Sequence, residues 1–153
     1  MREESIVFRP MREADRTIVA AMIQSLYKSL DAPEGYMTYE KISATFEQTY
    51  LQPDYLNIEV FESNETIVGY ALLFKFWYNE FGGMILNIDE LYVTPDFQRR
   101  GIASLYLSGL EKRNEGYVGL SIEVLPENKK AYALYKKMGY MEKETKQLYK
   151  LLK

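Results

Sequence analysis

The 153-residue chain carries 19 basic and 22 acidic side chains, a formal net charge of −3, so it lacks the strongly basic character of a nucleic-acid-binding domain. It contains no cysteine and no histidine, which excludes disulfides, a thiolate nucleophile, a zinc mechanism and a Ser-His-Asp mechanism. The length predicts a single domain over residues 1–153. Because the chain has neither a membrane-spanning apolar run nor a signal peptide's apolar core, we expect a cytoplasmic protein without a membrane partner.

Hydrophobic periodicity predicts a succession of strands and helices along the chain. The predicted elements are a strand at 5–9, helices at 18–30 and 38–52, strands at 56–62, 66–78 and 84–93, a helix from about Arg100 to Asn114, a strand at 117–125, a helix from Asn128 to Met138, and one or two short strands within 140–152. Helices that precede a β-meander and then a β-α-β-α order predict an α/β fold with a mixed sheet. The strand-helix-strand unit at 84–125 should be a right-handed crossover between parallel strands.

A tight turn between the strand at 84–93 and the following helix is the most informative local feature. The strand stops at Thr94-Pro95, and the segment Gln98–Ala103 leads directly into the helical pattern. Such a turn directs free backbone N–H groups and the positive end of the helix dipole toward one point. Two arginines at this helix N-terminus have the wrong sign for the dipole, which favours a bound phosphate or pyrophosphate.

Two segments together resemble the signatures of the GNAT (GCN5-related) N-acetyltransferase family. Gln98–Ala103 reads QRRGIA and fits Gln/Arg-x-x-Gly-x-Gly/Ala, with Ala103 in place of the second glycine. Asn128–Tyr140 reads NKKAYALYKKMGY and is similar to Asn-x-x-Ala-x-x-Leu-Tyr-x-x-x-Gly-Phe/Tyr. The resemblance implies a mixed, mostly antiparallel sheet with splayed central parallel strands, flanked by helices.

The resemblance also implies acetyl-CoA as the co-substrate, with no metal. Loop N–H groups would hold the pyrophosphate, the strand edge at Leu91 and Val93 would pair with pantetheine, and Asn128 would bind the pantetheine arm. An N–H near Leu91 would polarise the thioester carbonyl. The expected cofactor-binding residues are Leu91, Tyr92, Val93, Gln98, Arg99, Arg100, Gly101, Ile102, Ala103, Ser104, Asn128 and Ala131.

Three residues are the predicted catalytic groups. Tyr135 occupies the position of the family's general acid, and its phenol, with an unperturbed pKa of about 10, stays protonated at neutral pH. With no histidine, Asp89 or Glu90 is the candidate base for the acceptor ammonium, directly or through water. They lie on opposite faces of a regular strand, and a bulge there would change which one points into the cleft. The lack of cysteine favours direct transfer in a ternary complex.

The acceptor is the least determined part of the prediction. Aromatic residues at Tyr36, Trp77 and Tyr78 fall where relatives bind the amine and could hold a cation. The segment 89–93 looks like the polyamine acetyltransferase branch, which suggests a small primary amine. The alternatives are a protein N-terminus or lysine side chain as acceptor, and a non-catalytic acyl-CoA sensor on the same fold. Homodimers are common in the family, and the sequence leaves the oligomeric state open.

Overall fold

The computed structural model describes residues 5–113 and 116–153. These residues divide into two compact units, the first ending at Glu123 and the second running from Val124 to Lys153. Within the described residues, the first unit contains five strands and three α-helices, and the second contains one α-helix. The elements are β1 (Ile6–Pro10), α1 (Arg16–Ser29), α2 (Tyr39–Leu51), β2 (Leu56–Ser63), β3 (Thr66–Tyr78), β4 (Gly83–Val93), α3 (Ile102–Lys112), β5 (Tyr117–Ile122) and α4 (Lys129–Lys137). No helix in the described ranges is long and apolar enough to cross a bilayer.

The five strands form one mixed sheet in the order β1-β2-β3-β4-β5. The first four pair antiparallel, and β4 pairs parallel with β5. The single parallel pair is the one joined through α3, as a strand-helix-strand crossover requires. The mixed, mostly antiparallel sheet flanked by helices that the sequence predicts is confirmed.

Helices α1 and α2 cover one face of the sheet. Their apolar residues pack on alternate residues of β2 and β3, because successive side chains of a strand point to opposite faces. The buried cluster comprises Val19, Ala20, Met22, Ile23, Ile42, Phe46, Ile58, Val60, Tyr70 and Leu72. The side chain of Thr38 accepts a hydrogen bond from the Lys41 amide and caps α2, as its position before the helical pattern indicates.

Intervening residues of the same strands face α3. The ring of Phe61 lies 4.6 Å from that of Tyr106, measured between centroids. The buried carboxylate of Glu59 accepts hydrogen bonds from the Tyr106 hydroxyl (2.6 Å) and from the Arg113 guanidinium (2.8 and 2.9 Å). A buried carboxylate needs such partners, so this cluster fixes α3 against β2.

The element bounds differ from the predicted ones mainly at the ends of elements. Helix α3 begins at Ile102 rather than Arg100, and its predicted end at Asn114 lies outside the described residues. The prediction of strands within 140–152 is wrong. This segment contains no strand, and its apolar side chains Met141 and Leu148 are exposed, so their pattern in the sequence does not correspond to burial in a sheet.

Candidate active site

The parallel pair β4 and β5 separates before β4 ends. Its last paired residues are Ile88 and Ile122, whereas β4 continues to Val93. From Asp89 onward, β4 therefore pairs with β3 on one side and is open on the side of β5. This opening corresponds to the splayed strands that the resemblance to N-acetyltransferases implies.

The backbone of Leu91 and Val93 points into this opening. The Thr94 N–H donates to the Val68 carbonyl of β3 at 2.9 Å, so Thr94 directs its N–H toward β3. Backbone groups of a strand point alternately to its two neighbours, so Leu91 and Val93 direct theirs away from β3. The N–H groups of both residues and the Leu91 carbonyl face the open edge of β4, where an extended ligand could pair with them. Tyr92 lies between them and packs against the sheet face covered by α1 and α2.

The turn after β4 has an unusual backbone. A short 3-10 turn at Pro95–Phe97 is followed by Gln98 in an extended conformation, and then by Arg99 with a φ of 63°. Gly101 has a φ of 76°, a conformation that disfavours any side chain, and it directly precedes α3. Apart from its two chain neighbours, no described residue has an atom within 4 Å of a Cβ built on Gly101, so the space beside it is open on the protein side.

The first turn of α3 completes this segment. Ile102 is buried and anchors the helix to the core, whereas Ala103 and Ser104 are only partly covered. Arg99 and Arg100 are exposed, and the Arg100 guanidinium lies over the Phe97 ring, 4.6 Å from its centroid. The N-terminal amides of a helix have no intrahelical acceptor. The turn and α3 thus offer amides and positive charge to an anion.

A β-bulge determines where the two candidate bases point. Leu72 of β3 pairs with Glu90 and Leu73 pairs with Ile88, which leaves Asp89 as the extra residue of β4. Cross-strand partners share a face and Leu72 and Leu73 lie on opposite faces, so Ile88 and Glu90 do as well. On a regular strand they would share one face. The bulge sends Glu90 into the interior beneath α1 and leaves Asp89 exposed.

Glu90 is held by two tyrosine hydroxyls. Tyr27 of α1 donates to Oε2 at 2.7 Å, and Tyr70 of β3 donates to Oε1 at 2.8 Å. The Glu90 residue is only 7% exposed. Both of its carboxylate oxygens therefore have a fixed hydrogen-bond donor, and the side chain has little freedom to approach a substrate.

The environment raises the pKa of both carboxyl groups. For Glu90, the pKa is raised by burial, opposed by the hydrogen bonds from Tyr27 and Tyr70, and raised further by the charge of Asp89. For Asp89, the protein atoms around the carboxyl group partly desolvate it and raise its pKa, although the residue is in contact with solvent. The negative charge of Glu123 raises the pKa further. Burial next to Glu90 raises the pKa values of both tyrosines, so both stay protonated as donors.

We expect the variant Glu90→Gln to change how stability depends on pH. Because the folded-state pKa of Glu90 is raised, the folded protein binds this proton more tightly than the unfolded chain does, and that stabilisation is lost as the pH rises through the raised pKa. The free energy of unfolding of the variant, relative to wild type, should therefore increase from about pH 4 to about pH 8 in urea titrations.

The exposed Glu127→Gln provides the matched control, because it makes the same chemical change at a surface position. If the stability difference between Glu90→Gln and wild type did not change with pH, the raised pKa of Glu90 would be wrong.

The three predicted substrate-binding aromatics lie in two places. The exposed Tyr36 lies beside Tyr27, with ring centroids 6.0 Å apart, and thus close to the Glu90 cluster. Trp77 and Tyr78 pair with Met84 and Gly83 at the other end of β4. Trp77 lies five positions along β3 from Leu72, the partner of Glu90, which corresponds to about 17 Å. The structure brings Tyr36 to the candidate bases and does not bring Trp77 or Tyr78 there.

The second unit contains the remaining predicted residues. The Asn128 side chain accepts a hydrogen bond from the Ala131 amide at 3.2 Å and caps α4, while its amide nitrogen is a potential donor to a ligand. The ring of Tyr135 packs near that of Tyr140, with centroids 5.9 Å apart. Burial raises the pKa of Tyr135, so its phenol remains protonated well above neutral pH.

Sequence reasoning did not identify Tyr27, Tyr70 or Glu123. Both tyrosines belong to apolar stretches, where a core role is the ordinary interpretation of a tyrosine. Glu123 follows the last residue of β5, and only the parallel register shows that this position falls near the bulge. No local motif marks any of the three.

A sequence model described as "Acetyltransferase (GNAT) family" matches residues 22–140. This match covers the turn, the splayed strands and both signatures. The chain belongs to the GNAT acetyltransferase family. The match also begins within α1, so Tyr27 and Tyr36 lie inside the family region of this GNAT chain.

Two curated relatives that resemble this GNAT chain share one name with each other. The chain is 37% identical over 71 residues to a thialysine N-epsilon-acetyltransferase of Caenorhabditis elegans, a match that spans 45% of this chain and 44% of the relative. It is 32% identical over 75 residues to the enzyme of that name from Bos taurus, across 48% of this chain and 44% of the relative. The chain thus spans less than half the length of the curated relatives it matches.

Solved structures share the whole fold of this GNAT chain. A possible acetyltransferase from Clostridium difficile 630 has a TM-score of 0.82 at 21% identity, with 98% of this chain and all of that one covered. An aminoglycoside N-acetyltransferase in complex with CoA has a TM-score of 0.78 at 19% identity, with 99% and 97% covered. At these identities the likeness shows the fold.

Proposed function

We propose that this protein transfers the acetyl group of acetyl-CoA directly to a primary amine. The open edge of β4, which ends in the turn before α3, is the observation on which the proposal depends. It offers strand-type hydrogen bonds at Leu91 and Val93, followed by amides and arginines at Gln98–Ala103, in the order in which pantetheine and a pyrophosphate follow one another. Family membership supports the proposal, and a structural neighbour was solved in complex with CoA.

The chain's own groups would fit this donor without a metal. Acetyl-CoA, when bound, supplies the thioester. The N–H of Leu91 would stabilise negative charge as it develops on the thioester carbonyl oxygen, and such stabilisation is often a large catalytic contribution. The amides of Arg100 to Ser104 and the arginine charges would hold the phosphates. Gly101 permits the backbone to approach them.

Asp89 is the proposed base, and Glu90 is the second candidate. Asp89 reaches solvent at the bulge, and its raised pKa brings it nearer to that of an efficient base at neutral pH. It would take a proton from the acceptor ammonium directly or through a water molecule. Glu90 is buried with both oxygens engaged by tyrosines, which suits it to hold the bulge in position.

Tyr135 is the proposed general acid, and Asn128 and Ala131 the proposed contacts of α4 with the pantetheine arm. These roles rest on their places in the second signature. The phenol would give its proton to the departing CoA thiolate, and its raised pKa keeps that proton available. One acetyltransferase domain over residues 1–153 is part of the same proposal. A cytoplasmic location stays a prediction of the sequence.

A small amine with a second charged group is the proposed acceptor class. Asp89 and Glu123 present negative charge at the opening, and the nearby ring of Tyr36 can contact a cation. Both curated relatives are named as acetyltransferases of the ε-amine of thialysine. These names support a lysine-like or polyamine-like acceptor for this chain. A protein lysine or N-terminus is the second candidate.

A panel of acceptors tests the proposed class. Thiol release from acetyl-CoA is measured with thialysine, lysine, a diamine, an aminoglycoside and a lysine-containing peptide. We expect the highest kcat/KM with one of the first three. Turnover of the peptide alone would contradict the small-amine proposal. Binding of acetyl-CoA without turnover of any acceptor would favour the sensor.

A further inference from the structure

The side chain of Gln98 closes the turn that follows β4. Its Nε2 donates to the Val93 carbonyl, five residues earlier, at 2.8 Å. Within this loop, the Phe97 amide donates to the Thr94 carbonyl at 2.9 Å and the Gln98 amide donates to the Pro95 carbonyl at 3.3 Å. The side-chain bond therefore ties the end of the turn back to the last residue of the open strand edge.

The residues that follow Gln98 need such support. Arg99 has a φ of 63° and Gly101 a φ of 76°, so two left-handed conformations occur within three residues. A residue with a Cβ adopts this region at an energetic cost and keeps it only where the surrounding structure holds it there. Gln98 is fixed immediately before the strained Arg99 and sets the direction in which the chain enters α3.

The same bond changes what the strand edge offers to a ligand. Val93 directs both its N–H and its carbonyl into the opening beside β4. Because the carbonyl already accepts from Gln98, Val93 meets a ligand mainly as an N–H donor. A pantetheine amide carbonyl suits such a donor. The neutral amide of Gln98 can accomplish this without the charge of the arginine that is common at this position of the signature.

We propose that Gln98 is a positioning residue. Its amide fixes the turn to Val93, which orders the N-terminal amides of α3 for the pyrophosphate before any ligand is present. The inference rests on the proposed binding of acetyl-CoA at this edge. It differs from the role of a phosphate ligand, in which the Gln98 side chain would act only once CoA is bound.

The variant Gln98→Met tests this, because it keeps the length of the side chain and removes the N–H donor. We expect the CoA dissociation constant, measured by calorimetry, to rise by about three- to tenfold, the range for loss of one hydrogen bond. KM for acetyl-CoA should rise in parallel, with kcat within about twofold. In the free protein, the amides of Phe97 and Leu105 should exchange with solvent deuterium faster than in wild type. Gln48→Met, an exposed substitution on α2, is the matched control.

Each outcome bears on one of the two roles. Weaker CoA binding together with unchanged amide exchange in the free protein would overturn the positioning role and favour a phosphate ligand. Equal CoA affinity of Gln98→Met and wild type would overturn it as well. If wild type itself binds no CoA, the proposed function fails, and amide exchange still decides whether Gln98 holds the turn.

Discussion

Asp89→Asn is expected to lower kcat by roughly 100-fold, at the lower end of what a positioned general base contributes. The bulge leaves Asp89 exposed at the point where β4 and β5 separate. Its carboxylate can accept the proton that the acceptor ammonium must lose, and asparagine cannot. Since the pKa of Asp89 is raised, kcat/KM of the wild type should rise with increasing pH around a pKa above that of an ordinary aspartate. The variant should lose this rise, which forms the acidic limb of the pH profile.

The control for this variant is Asp96→Asn, an exposed substitution in the turn after β4. It removes the same charge a short distance along the chain and should leave the acidic limb in place. If Asp89→Asn kept the wild-type kcat and pH profile, Asp89 would not be the base. A large loss of kcat in Glu90→Gln alone would then transfer the role to Glu90.

Tyr135→Phe is the second substitution with a large expected effect, again roughly 100-fold in kcat. Phenylalanine keeps the ring and its packing near Tyr140 and removes the proton that the departing thiolate needs. The dissociation constant of CoA should change by less than about twofold, because the hydroxyl acts on the transition state rather than on the bound ground state. The raised pKa of Tyr135 predicts that wild-type activity persists into the alkaline range.

Tyr132→Phe, an exposed tyrosine on the same helix, is the matched control and should retain wild-type kcat. The two variants remove the same atom from α4 at positions three residues apart. Equal activities of Tyr135→Phe and Tyr132→Phe at all pH values would show that Tyr135 is not the acid. The protonation of the thiolate would then have to come from solvent.

Local patterns predicted most of the elements of the first unit. The alternation of apolar and polar residues in 56–62 predicted β2, and the apolar run in 66–78 predicted β3. Both patterns are readable because helices pack against the sheet and bury the apolar side chains of these strands. Thr38 and Asn128 cap their helices as short polar side chains do at such positions. The turn at Gln98–Ala103 was also predictable, because glycine is favoured where φ is positive.

The features that long-range pairing creates were not predictable. The position of the bulge depends on the register between β3 and β4, and it decides that Glu90 is buried and Asp89 exposed. The contacts of Glu90 with Tyr27 and Tyr70 join residues 63 and 20 positions apart, and no periodicity of the sequence indicates them. The side-chain bond of Gln98 to Val93 likewise follows from the backbone of the turn.

The most direct test of the account is the mass balance of one reaction. The protein is incubated with acetyl-CoA and thialysine or a diamine, and CoA, the acetylated amine and the intact protein are quantified by mass spectrometry. Direct transfer predicts one acetylated amine for each CoA released and no acetyl group on the protein. Acetyl-CoA that binds yet leaves every amine unmodified, or an acetyl group that remains on the protein, would contradict it.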